Sequence, residues 1–162
     1  MTGLVDSHNH LQFPILQVDF PRVLEEMQLA GIERSLVNGT CAADWPDVAS
    51  LARAFPDFIR PSFGLHPWKV AERSRDWLDV LSSFLEEFPN AGVGECGLDR
   101  WIEGHDLELQ LEVFGPQVSL AARLDRPLTI HCLRAWGGLL DCLRESPLPA
   151  RGFLLHAYGG PA

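Results

Sequence analysis

The sequence is short of three things that would place it among other kinds of protein. No apolar run approaches the roughly 18 residues that span a bilayer, and the N-terminus lacks a basic segment followed by an apolar core. The expectation is a cytoplasmic protein with no membrane partner. Cations are scarce, since 13 Lys and Arg stand against 22 Asp and Glu for a net charge of −9. Coating nucleic acid through a broad basic face needs clustered Lys and Arg, so that mode is excluded. A phosphate ester held at a local metal site is not, because bound cations there outweigh the global charge. Cysteines at CxxC spacing are missing too: Cys41, Cys96, Cys132 and Cys142 are scattered, and three lie in or beside apolar runs, as reduced thiols would.

What is present is a slow alternation over 162 residues, of which 46% are hydrophobic, enough for one well-buried domain covering 1–162. Short runs rich in branched residues occur at Leu4-Val5, Ser35–Val37, Phe58–Phe63, Ala91–Gly94, Pro127–Ile130 and Gly152–Leu155, and each reads as a buried strand. Helical patterns lie between them. Asp19-Phe20-Pro21 opens one that stops at Gly31, and Asp44-Trp45-Pro46 opens another that stops before Pro56. Ser74 is the expected N-cap of a third, with Trp77, Leu81, Phe84 and Phe88 as its core stripe. A fourth runs from about Asp106 to Leu124 with Leu107, Leu111, Phe114, Val118 and Ala121 on one face and an expected kink at Gly115-Pro116, and a fifth spans about 135–144. Strands recurring about every 30 residues with helices between them mean βα units and a parallel sheet.

A doubly wound sheet would gather its polar residues at one switch point and carry a Gly-rich phosphate loop after the first strand, which is absent. Here His8, His10, Thr40, His66, Glu95, His131 and His156 all follow predicted strands, as in a (β/α)8 TIM barrel, with about six of its units in this chain. In Asp6-Ser7-His8-Asn9-His10, period-two geometry places Asp6, His8 and His10 on one face. Glu95 ends an apolar strand, where a carboxylate is costly to bury without a cationic partner. Any one of these histidines taken singly is explained as well by a turn or a satisfied core position. Taken jointly, they favour a metal centre. A bridging carboxylate would admit two ions about 3.5–4 Å apart, a pairing suited to phosphodiester hydrolysis.

Asp6–His10, Gly64-Leu65-His66-Pro67, Gly94-Glu95-Cys96-Gly97-Leu98-Asp99, Thr129–Cys132 and Leu155–Gly160 together resemble, in order and spacing, the TatD family of metal-dependent deoxyribonucleases. That resemblance implies a TIM-barrel hydrolase of the amidohydrolase-like group acting on DNA or similar phosphodiesters. It gives His8 and His10 to one metal, Glu95 to a bridging position as a catalytic residue, and His131 and His156 to a second metal. His66 is implied to contact the substrate phosphate in a catalytic role. The cofactors implied are two divalent ions in the complete protein, with Mg, Mn and Zn all admissible. Two positions depart from the family. The arginine expected two residues after His131 is replaced by Leu133, with Arg134 next as the substrate-binding candidate, and no Ser-Asp-x-Pro segment follows His156 before Ala162. With six strands where a closed barrel has eight, the domain is expected to be C-terminally incomplete, and this chain by itself is expected to hold about one tight metal and to show little or no nuclease activity. An amide or ester hydrolase of the same barrel group, and a non-catalytic remnant serving as an interaction scaffold, remain alternatives. Trp68, Trp101 and Trp136 suit either base stacking or rim packing. Oligomeric state is left open.

Overall fold

A computed structural model describes residues 3–160. Six strands, β1 Leu4–Asn9, β2 Ile32–Asn38, β3 Ile59–Phe63, β4 Gly92–Asp99, β5 Leu128–Leu133 and β6 Phe153–His156, form one all-parallel sheet in sequence order. The helices α1 Pro14–Gln17, α2 Phe20–Leu29, α3 Trp45–Ala54, α4 Trp77–Glu87, α5 Leu107–Leu124 and α6 Trp136–Glu145 alternate with them, and a 3-10 turn covers Pro67–Glu72. Parallel strands cannot be joined by tight turns, so each apolar run is followed by a crossover, and five of the six helices were legible as such. The four-residue α1 and the 3-10 turn are too short to show a 3.6-residue period.

The core lies under the middle strands. All eight residues of β4 are buried, whereas Leu4 and Val5 of β1 are 58% and 64% exposed and Phe153 of β6 is 42% exposed. The expectation that every strand is buried therefore fails at the two sheet edges, which have a neighbour on one side only. The sheet nevertheless curves enough for the C-terminal ends of β1 and β6 to meet: the His8 and His156 rings stack at 3.7 Å, 10° from parallel.

Three local expectations are corrected. The residue before α4 is Asp76, not Ser74, and it makes no side-chain cap bond; Phe88 lies just past the helix end. Helix α5 runs unbroken through Pro116, and its buried face is rotated to include Gln110 and Gln117 beside Phe114, Val118 and Ala121, leaving Leu107 and Leu111 half-buried. Asp44 precedes α3 but does not cap it. Its carboxylate instead accepts from Thr40 N (2.9 Å), Thr40 Oγ1 (2.7 Å) and Cys41 N (3.2 Å), fixing the loop after β2.

That loop is a backbone anchor for the face of the sheet where the strands end. Gly39 O accepts from Glu95 N at 3.0 Å and Thr40 O from His66 N at 2.8 Å. Close approach also requires glycine here. A Cβ on Gly64 would lie 2.7 Å from Gly94 Cα, and one on Gly94, at φ +147°, would lie 2.5 Å from Thr129 O. The three central strands can thus press together beneath Glu95.

Candidate metal centre

Every residue that the sequence reading assigned to metal converges on one carboxylate. Glu95, on β4, is 2% exposed. Its Oε2 lies 3.2 Å from His8 Nε2 and 3.2 Å from His10 Nε2. Its Oε1 lies 3.2 Å from His131 Nδ1, 3.7 Å from His66 Nε2 and 4.0 Å from His156 Nε2. The two oxygens thus face two separate sets of imidazoles. Burial would raise the Glu95 pKa, but the facing imidazoles of His10, His131 and His8 overcome it and hold the carboxyl far below its ordinary range.

The hydrogen-bonding frame sets the imidazole tautomers. His10 Nδ1 donates to Asn38 O at 2.7 Å, which turns the Nε2 lone pair toward Glu95 in the neutral ring. His131 Nε2 donates to Asp99 Oδ2 at 2.8 Å, which turns its Nδ1 lone pair toward Glu95. Two lone pairs aimed at a carboxylate require a cation between them. In the metal-free chain that cation is a proton: burial disfavours charge on both rings, yet the bonds to Glu95, with Asn38 O at His10 and Asp99 at His131, raise both pKa values. A divalent ion would serve the same need with stronger bonds.

His66 is framed the other way. It precedes the 3-10 turn, and its Nδ1 accepts from Trp68 N at 3.2 Å, so the neutral ring carries its hydrogen on Nε2 and offers a donor rather than a ligand. Burial, partly offset by Glu95, lowers its pKa to about 4, keeping it neutral near pH 7. At His8, Asn38 Nδ2 lies 3.2 Å from Nδ1 while Asn38 Oδ1 has no partner. A half-turn of that amide, which would give up its 3.3 Å bond to Leu36 O, would let Oδ1 accept from Nδ1 and release Nε2 as a ligand.

The residues present fit a metal. His8, His10 and Glu95 place potential ligand atoms within 4.8 Å of one another, and Glu95 and His131 do so in a group with His66, whose own Nδ1 lone pair is taken by Trp68 N. Buried Glu95 Oε1 and His8 Nε2 face an imidazole and a carboxylate oxygen at 3.2 Å without a well-aligned hydrogen bond, a gap that an ion between them would fill. His156 stands further out, 4.0 Å from Glu95 and stacked on His8, with its pKa lowered by burial and by His8. Asp6 does not join. A register shift between Asp6 and Asn9 breaks the strict alternation of β1, and its carboxylate accepts from His8 N (3.2 Å) and Asn9 Nδ2 (2.7 Å) instead.

Above these groups is an open pocket of about 320 Å³, walled by Phe13, Thr40, Trp68 and Lys69. Trp68 and Trp101 are 52% and 58% exposed, while Trp136 packs on Tyr158 with ring centroids 4.7 Å apart. Arg134, at φ +55°, lies with its guanidinium 3.9 Å from the Trp101 ring centroid. Asn38, Gln110, Gln117, Phe13 and Lys69 were not singled out from sequence, and Asp44 was read only as a helix start. For the two glutamines a signal existed, because polar residues seven apart on an apolar helix face mark a buried hydrogen-bonding role.

Comparison with known proteins agrees with this geometry. A family model described as TatD related DNase matches residues 5–162. The 3'-5' ssDNA/RNA exonuclease TatD of Erwinia tasmaniensis is 31% identical over 142 residues, covering 88% of this chain and 55% of that protein. The uncharacterized metal-dependent hydrolase YjjV of Escherichia coli is 30% identical over 158 residues, covering 96% of this chain and 60% of that protein. The crystal structure of YjjV superposes with a TM-score of 0.90 over 98% of this chain and 61% of that one. An uncharacterized amidohydrolase from Saccharomyces cerevisiae, at 16% identity, shares the fold with a TM-score of 0.84. The chain spans little more than half the length of the curated relatives it matches. Six consecutive strands of a TIM barrel, a carboxylate ringed by histidines at their C-terminal ends and a family match over nearly the whole length lead to one conclusion: the chain belongs to the TatD related DNase family.

Proposed function

We propose that residues 1–162 belong to a hydrolase that holds divalent metal around Glu95 and cleaves phosphodiester bonds of single-stranded nucleic acid, DNA first. The observation that carries this reading is the division of the Glu95 carboxylate between His8 and His10 on one oxygen and His131 on the other. His8, His10 and Glu95 would hold one ion; Glu95 and His131, with His156 drawn inward, would hold the second. Ions there would supply Lewis acidity and acidify a water. Mn²⁺, Mg²⁺ and Zn²⁺ all suit imidazole and carboxylate ligands to differing degrees. The named relative TatD of Erwinia tasmaniensis supports the choice of substrate.

The chain's own residues supply the rest. Neutral His66 lines the pocket with its Nε2 3.7 Å from Glu95 Oε1, and that N–H would donate to a phosphate oxygen as negative charge grows there, with no proton changing hands at that nitrogen. Trp68 at the pocket wall and Trp101 beside Arg134 offer ring faces for unpaired bases, and Arg134 adds a cation for the backbone on an otherwise acidic protein. Four free cysteines suit the reducing cytoplasm. No helix among the described residues is long and apolar enough to cross a membrane.

A 5'-labelled single-stranded oligonucleotide incubated with the Mn²⁺-loaded protein tests the reading. Metal-dependent shortening, abolished in Glu95→Ala, is expected. Metal binding with no cleavage of the oligonucleotide, but cleavage of a p-nitrophenyl ester, would move the assignment to the ester hydrolases of this barrel group; binding with no turnover of either would favour the scaffold.

A further inference from the structure

Asp99 ends β4 four residues beyond Glu95 and is fully buried, although the chain surfaces at the next residue. Its carboxylate receives four donors. Oδ1 accepts from Trp101 N (2.6 Å) and Ile102 N (3.1 Å), and Oδ2 accepts from Trp68 Nε1 (2.7 Å) and His131 Nε2 (2.8 Å). Its own backbone is clamped as well. Gln110 accepts from Asp99 N at 2.7 Å and donates to Asp99 O at 2.9 Å across a helix–strand contact. One immobile carboxylate therefore grips both the ring that faces Glu95 and the indole that walls the pocket.

We propose that Asp99 is a positioning residue that fixes His131 in its Nε2–H form, making Nδ1 the coordinating nitrogen, and holds Trp68 in place as a wall of the same pocket. The proposal rests on the metal-centre reading above and adds to it the residue that selects the ligating atom. Because all four partners are donors, only a group with acceptor capacity on both oxygens satisfies them. An amide cannot. With its NH₂ at the Oδ2 position, His131 would have to accept at Nε2, moving its hydrogen to Nδ1 and blocking the lone pair that faces Glu95. With its NH₂ at the Oδ1 position, two backbone N–H groups would face a donor. Partners that orient a metal-bound histidine in this way typically carry about 10–100-fold in metal affinity.

The unaltered chain gives the first test. With ¹⁵N-histidine labelling at a pH where the rings are neutral, long-range ¹H–¹⁵N spectra should show His131 as the Nε2–H tautomer. Adding ¹¹³Cd²⁺ should produce one-bond coupling to His131 Nδ1. Hydrogen on Nδ1, or cadmium coupled to Nε2, would overturn the proposal. Coupling to no histidine would defeat the metal-centre reading, while the metal-free tautomer would still decide the role of Asp99. Asp99→Asn is then expected to weaken Cd²⁺ binding about 10–100-fold and to displace the Trp68 indole N–H resonance. Val118→Ala, an apolar core truncation on α5 that removes no hydrogen bond from either residue, controls for general destabilisation and should leave the tautomer and the affinity in place. Asp99→Asn with parent affinity and an unchanged His131 tautomer would refute the proposal even if the variant is less stable.

Discussion

The interior and the edges of the sheet carry the same chemistry on different footings. Glu95 and His131 lie on strands, and His66 follows one, that have neighbours on both sides, and their surroundings are locked. Gln117 accepts from Leu65 N and donates to Leu65 O just before His66, Gln110 clamps Asp99, and Asp99 orients His131. His8, His10 and His156 sit on β1 and β6, the two sheet edges, where Leu4, Val5 and Phe153 are exposed. Support there comes chiefly from Asn38, through its carbonyl to His10 and its amide to His8, and from the stacking of His8 on His156. The contrast separates imidazoles whose orientation is fixed by a buried carboxylate or glutamine frame from those held at a sheet edge by one asparagine and a ring stack.

The widest test of that contrast is Glu95→Ala, which removes the group common to both halves. Metal content should fall further than in His8→Ala or His10→Ala, and beyond the roughly 10–100-fold that loss of an outer partner costs. Elemental analysis of dialysed protein reads it, and unchanged content would remove the common centre. Next is His66→Ala. Loss of a single donor to developing charge costs about 10²–10³ in turnover, whereas metal content should stay at the parent level because the His66 lone pair is engaged by Trp68 N. Loss of metal in that variant would make His66 a ligand.

In the folding energetics the same contrast predicts that Leu98→Ala, fully buried in β4, costs about 2–5 kcal/mol. Leu4→Ala on the β1 edge should stay within about 0.5 kcal/mol. Urea unfolding of the metal-free protein compares the two, and equal losses would mean that β1 is covered after all.

The smallest effect is on pH dependence. Protonated His10 and His131 stabilise the metal-free fold beside Glu95. With both pKa values raised, that contribution is full below the ordinary histidine value and is lost as pH rises through the raised ones. Metal needs both rings neutral, so its affinity should rise over the same window with release of protons. His66, lowered to about 4, should take no part. Calorimetry in two buffers of different ionisation enthalpy counts the protons, and zero release would contradict the assignment.

Much of this was legible in the sequence because the βα alternation and the ligand types are local signals. His8, His10, Glu95, His131 and His156 each directly follow or end an apolar run, and the structure gathers them within reach of one carboxylate. The supporting shell was legible at most as two buried polar positions on α5, and its pairings were not. Asn38 lies 28–30 residues from the histidines it serves, Gln110 lies 11 from Asp99 and Gln117 lies 52 from Leu65, so nothing nearby in the chain announces the pairing. The bulge in β1 hid the fate of Asp6, because period-two reasoning holds only while the register does. Edge exposure was likewise misread, since composition marks a strand as apolar without saying whether both of its faces are covered.

The account turns on Glu95 as a shared ligand, and a zinc-soaked crystal examined by anomalous scattering tests that most directly. The predicted result is zinc at about 2.0–2.2 Å from Glu95 Oε2 and the Nε2 atoms of His8 and His10, with any second ion bound by Glu95 Oε1 and His131 Nδ1. Zinc seated away from Glu95, or held by His66 Nε2 in place of His131 Nδ1, would contradict it.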